Sequence, residues 1–131
     1  MKTALICLFI SLLLPYVWGV FLARGRIKMA GHLDNKHPRT HDSALTGLGA
    51  RALGAHQNSF EALILFAPTV ILAAITGADS TWVARLSIAF VAARVVHGIA
   101  YLSNQDKLRS GMFAVALLSV IGIWVQIFGT F

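Results

Sequence analysis

Charge is scarce in this chain and cysteine nearly absent. Charged side chains make up 12% of the 131 residues, roughly half the share in an average soluble domain. With 57% hydrophobic residues and a mean hydropathy of +0.74, a soluble domain of this size is excluded and a membrane protein is expected. Cys7 is the only cysteine, so no intramolecular disulfide and no thiol-based metal site can form. The five histidines show no paired ligand spacing beside a carboxylate, and no metal is expected. The formal charge of +6 does not point to nucleic acid, because the Lys and Arg residues gather in two short loops.

What is present is a set of long apolar runs. Residues 3–23 are long enough to cross a hydrocarbon core of roughly 30 Å. They are read as a first span, not a cleaved signal peptide, because the run exceeds the usual apolar region and ends in Arg24-Gly25-Arg26. Pro15 is expected to kink it. Residues 24–43 are polar and rich in turn formers. A second helix is expected over 44–76, ending at Gly77, with a ridge of small residues at Thr46, Ala50, Gly54 and Asn58 and a bend at Pro68. A third follows over 81–103 and a fourth over 110–130, the last free of charge after Ser110. These four helices make an all-α membrane domain spanning residues 1–131.

The unusual stretch is Arg51 to Phe66, which places Arg51, Asn58 and Glu61 on one helix face, within roughly 80° of each other. An acid at the centre of a bilayer helix costs about 2.5–3.5 kcal/mol, so Glu61 requires a partner. On the third helix Arg94, His97 and Tyr101 share a face. Measured from the turn at 77–80, Glu61 and Arg94 both lie roughly 18–23 Å down their helices, which predicts a Glu61–Arg94 ion pair. Asn58 then comes level with His97 and Tyr101. Arg85, on the opposite face, reads as an interfacial anchor, and His56, about 160° from Asn58, as a helix-surface histidine.

Counting Lys and Arg near helix ends places loops 24–43 and 104–109 in the cytoplasm. The polar face becomes a funnel open to the cytosol, with net positive charge, one carboxylate, an amide and a phenol. Such a funnel suits a small anionic, peptide-like molecule carrying an ammonium group, of which glutathione is an example. An arginine at the mouth, such as Arg109, would favour a bound thiol as its thiolate.

These residues also carry a family resemblance: Arg51-x3-Ala55-His56-x-Asn58-x2-Glu61-x4-Phe66, then Arg94-x2-His97-x3-Tyr101 and Arg109-Ser110. The chain resembles a short bacterial member of MAPEG, the membrane-associated proteins in eicosanoid and glutathione metabolism, over nearly its whole length. The resemblance implies a homotrimer of four-helix subunits in the bacterial inner membrane, with glutathione as co-substrate. It further implies glutathione contacts at Arg26, Asn58, Glu61, Arg94, His97 and Tyr101, with Arg109 or Ser110 stabilising the thiolate. Eukaryotic prostaglandin E synthases of that family carry arginines where Gly54 and Gln57 stand. The function expected is a glutathione-dependent transferase or peroxidase acting on apolar electrophiles that reach it through membrane lipid. The competing expectation is a non-catalytic multi-span protein whose polar face serves trimer assembly. A four-helix multidrug transporter ranks behind both, since the first span contains no acid.

Overall fold

A computed structural model describes all 131 residues and contains only helices: α1 (Lys2–Ala30), α2 (Gly47–Thr76), α3 (Ser80–Leu102) and α4 (Asp106–Phe128), with a short 3-10 turn at Asp42–Ala44. All four long helices are apolar and long enough to cross a membrane. Their best 18-residue windows have mean hydropathies of 2.4, 1.9, 1.6 and 2.2 in chain order. The lowest value belongs to α3, which is also the most enclosed: half of its window is buried, against 28–33% in the others. The helix that carries buried charge is thus the one withdrawn from lipid, as the cost of placing charge in hydrocarbon requires. Leu5, Phe9, Leu13, Ile64, Ile75, Leu118 and Val125 point outward and supply apolar faces for acyl chains.

Three helix boundaries differ by three residues or more from those read in the sequence. α1 continues seven residues past the apolar run, through Arg24–Ala30, and stops at Gly31, whose φ of +78° lets its N–H return to the Ile27 carbonyl. Hydropathy ends where hydrocarbon ends, whereas a helix of Arg, Ile, Lys, Met and Ala propagates into water. α2 starts at Gly47 instead of 44, because Asp42–Ala44 forms a separate turn. α4 begins at Asp106, so Lys107 and Arg109 lie in its first turns and not in a loop. The end of α2 is where it was expected: Gly77 adopts φ +72° and caps back to Ala73. Asp79 then accepts from the backbone N–H groups of Thr81 and Trp82 to start α3.

Packing divides the bundle lengthwise. Toward the α2–α3 turn, a core of Ala4, Cys7, Phe66, Val70, Val83, Phe90, Val120 and Ile123 joins all four helices. At its centre Phe66 and Phe90 stack with ring centroids 3.9 Å apart and planes 11° from parallel. Toward the other end, α1 and α2 meet closely: a Cβ on Gly25 would lie 2.7 Å from the Gly49 Cα. The small face of α2 that α1 uses is Gly49, Ala52, Ala55 and Ser59, all buried. The expected ridge at Thr46, Ala50, Gly54 and Asn58 is a different stripe. Thr46 and Ala50 are exposed, and only Gly54 and Asn58 meet another helix, α3, through Tyr101 and Arg94. Two small stripes run side by side on α2, and spacing alone cannot rank them.

His56 belongs to the α1–α2 contact as well. Its ring Nδ1 lies 2.8 Å from the Pro15 carbonyl oxygen and packs over Gly19. The surface-histidine reading is therefore corrected: this side chain bridges two helices beside the proline.

Candidate functional site: a polar cleft between α2, α3 and α4

Arg94 is 2% exposed, the largest fully buried side chain in the chain. A guanidinium so placed needs acceptors, and α2 supplies them one turn above Glu61. Arg94 Nη2 donates to Asn58 Oδ1 at 2.8 Å and to the Asn58 backbone oxygen at 3.2 Å. Asn58 Nδ2 in turn donates to Glu61 Oε2 at 2.8 Å. A guanidinium has no acceptor and a carboxylate no donor, so the amide orientation follows from its neighbours. The expected Glu61–Arg94 ion pair is thus absent, and the one salt bridge in the chain lies elsewhere. Equal depth put the two charges at one level, but the intervening amide bonds both. Glu61 itself is exposed along the flank of the single chain.

Arg94 still holds unspent donors. Its Nε and Nη1 are buried without a partner, as is His97 Nδ1. Native interiors leave few such groups, and two of these three belong to one cation. His97 is 3% exposed and meets Tyr101 edge-on, with centroids 5.4 Å apart. Arg109 reaches across from the first turns of α4, its Cζ 4.6 Å from the centre of the Tyr101 ring. Gly54 makes room for that ring, since a Cβ there would stand 2.7 Å from Tyr101 Cε1.

Two adjoining cavities follow from this arrangement. One, of about 270 Å³, is bounded by Asn58, His97, Tyr101, Arg109, Ser110 and Phe113. The other, of about 200 Å³, is bounded by Asn58, Glu61 and Arg94 on its polar side and by Ala62, Leu65, Phe90, Phe113, Ala116, Leu117 and Val120 on its apolar side. They share Asn58 and Phe113, so a polar chamber and an apolar chamber are contiguous. Sequence reasoning missed Phe113, although its place one turn beyond Arg109 and Ser110 on α4 puts it on their face.

Of the eight site residues that the family resemblance implies, seven line this pair of cavities: Asn58, Glu61, Arg94, His97, Tyr101, Arg109 and Ser110. Arg26 does not. Its Nε and Nη2 hold the two Asp42 oxygens at 2.8 and 2.7 Å, which ties the end of α1 to the turn before α2. Arg51 also lies outside, donating from Nε to the Leu102 carbonyl at 3.0 Å and so satisfying the end of α3. Arg85, exposed, lies over the Trp82 ring at 5.4 Å, in keeping with an anchor near a helix start.

No curated protein and no solved structure gives a significant match to the sequence. One family model does match, over residues 3–129. That span takes in all four helices except Lys2 and every residue of the cleft, and this chain belongs to the MAPEG family.

Proposed function

We propose that this chain is a glutathione-dependent transferase or peroxidase that acts on apolar electrophiles arriving through the bilayer. The observation that carries the reading is the junction, across Asn58 and Phe113, of a polar chamber bounded by His97 with a mainly apolar chamber bounded by Arg94, both side chains having buried nitrogens without a partner. Glutathione supplies two carboxylates, an ammonium group, amide oxygens and a thiol. The free Nε and Nη1 of Arg94 and, in the tautomer protonated there, the Nδ1 of His97 fit its acceptors. Exposed Glu61, held by Asn58 alone, fits the ammonium group. Arg109 and Ser110 stand beside Tyr101 at the outer wall, where a cation and a hydroxyl stabilise a thiolate. In this reading the thiolate sulfur bonds to the electrophilic atom of the apolar partner, whose leaving group departs with the electron pair. Arg26, occupied by Asp42, is left out of this set.

The active assembly in this reading is a homotrimer in the bacterial inner membrane. It is supported by the exposed carboxylate of Glu61 at bilayer depth, which another subunit would cover. The basic segments 24–43 and 104–109 would face the cytoplasm. Calorimetric titration of the detergent-purified protein with glutathione tests the binding step. Saturable heat and a thiolate absorbance that disappears in Arg109→Ala are expected. No heat and no thiolate signal would leave the cleft as a helix-joining device that sets oligomer size.

A further inference from the structure

The largest cavity in the chain is not part of the cleft. It measures about 540 Å³ and lies between the end of α1 and the start of α2. Arg24 and Lys28 stand on its α1 side, while Phe21, Leu45 and Leu48 form an apolar wall. The groove exists because Gly25 and Gly49 bring the helices into contact there, so the flanking longer side chains must splay apart.

Its electrostatics are one-sided. Arg24 and Lys28 are exposed, one helical turn apart, and no acidic residue lines the groove. The nearest sequence candidate, Asp42, is engaged by Arg26. Two cations spaced i, i+4 repel each other on a helix, and an anion between them would relieve that repulsion. The first amides of α2, at Gly47, Leu48 and Gly49, add donors there, and Thr46 makes no side-chain cap. The groove also lies where α1 leaves its apolar run, the level of lipid headgroups. Leu48 is 48% exposed and adds to the apolar wall beside Gly49.

We infer that this groove binds one anionic phospholipid, its phosphate between Arg24 and Lys28 and one acyl chain along Phe21 and Leu48. The charge of the groove answers the phosphodiester and the apolar wall answers the tail. A soluble anion would leave that wall unused.

Native mass spectrometry of the intact detergent-solubilised protein tests this, using phosphatidylglycerol and phosphatidylcholine with matched tails. Wild type should retain phosphatidylglycerol in preference, and Arg24→Gln with Lys28→Gln should lower that preference on the order of five-fold per charge removed. Lys36→Gln with Arg39→Gln removes the same charge from exposed loop positions and should leave the preference intact. Leu48→Ser should weaken retention of the lipid. Equal loss in the loop variant would show attraction by net charge alone and overturn the site. Binding of glycerol phosphate as tight as that of the lipid, or indifference to Leu48→Ser, would overturn the lipid assignment.

Discussion

Arg94 reaches Asn58 and goes no further: its Nη2 donates to the Asn58 side-chain oxygen at 2.8 Å, and Glu61 is bonded only to the other end of that amide. The hierarchy of costs follows. Asn58→Ala leaves a guanidinium that is 2% exposed with no side-chain acceptor, a loss of about 1–3 kcal/mol or more for a charged group. Glu61→Gln keeps an acceptor for the Asn58 amide and changes an exposed group, so stability should shift by less than about 1 kcal/mol. Thermal unfolding in detergent compares the two. A larger loss in Glu61→Gln would mean that the two charges interact directly.

Gly98 is the tightest point of the α1–α3 contact, where a Cβ would come 2.1 Å from Trp18 Cζ2. Trp18 is 5% exposed and cannot swing away cheaply, so Gly98→Ala should cost about 1–3 kcal/mol by overpacking. Gly111, on α4, has nothing within 4 Å of the same added atom. Gly111→Ala should instead gain about 0.5–1 kcal/mol through lost chain entropy in the unfolded state. Opposite shifts in unfolding temperature are the expected result.

The number of spans and the membership of the cleft were legible in the sequence, because charge inside an apolar run is costly and helical spacing gathers it on faces. Asn58, Arg94, His97 and Tyr101 come together for that reason. Three things were not legible. The end of α1 at Gly31 depends on helix propensity in water, to which hydropathy is blind. The direct Glu61–Arg94 pair was inferred from depth, which fixes level but not rotation, and Asn58 occupies the space between. Phe113 carries no charge, so only the fold reveals that it stands between both chambers.

Asp79 starts α3 and gives the chain an acid-sensitive end. Bonds from the Trp82 and then the Thr81 backbone N–H groups hold its carboxyl below the usual aspartate value. A group whose folded pKa is depressed stabilises fully above its unfolded pKa, about 3.9, and loses that contribution as pH falls through the lower folded value. Unfolding temperature should therefore drop below about pH 4 more steeply in wild type than in Asp79→Asn, which caps without titrating. Parallel curves would remove Asp79 as a source of acid sensitivity.

Trp124 on α4 donates its Nε1–H to Thr69 Oγ1 on α2 at 3.0 Å, the one side-chain hydrogen bond between those helices. Thr69 is 1% exposed and its own hydroxyl proton goes to the Leu65 carbonyl at 2.7 Å. Thr69→Val keeps the shape but strands the indole donor, at a cost of about 1–3 kcal/mol. Thr69→Ser keeps the hydroxyl and should cost less. Tryptophan emission and unfolding temperature report both, and equal losses would assign the effect to packing of the lost methyl group.

Gly54 and Arg109 hold Tyr101 from two sides, one by absence of a side chain and the other by charge over the ring at 4.6 Å. Gly54→Ala requires the ring to move by a few tenths of an ångström or more, because the new Cβ would meet Cε1 at 2.7 Å. The ring lies at the edge of the polar chamber and is only half-buried, so it can yield at modest cost in stability. The expected signature is a weaker glutathione affinity with an unfolding temperature close to wild type. Gly54→Arg places a cation where the ring stands, so ring and guanidinium exclude each other. If that variant binds glutathione more tightly while Tyr101→Ala alone binds less, the ring and an arginine are alternative solutions to holding the same anion. If both variants bind as wild type does, the tyrosine plays no part in the cleft's chemistry.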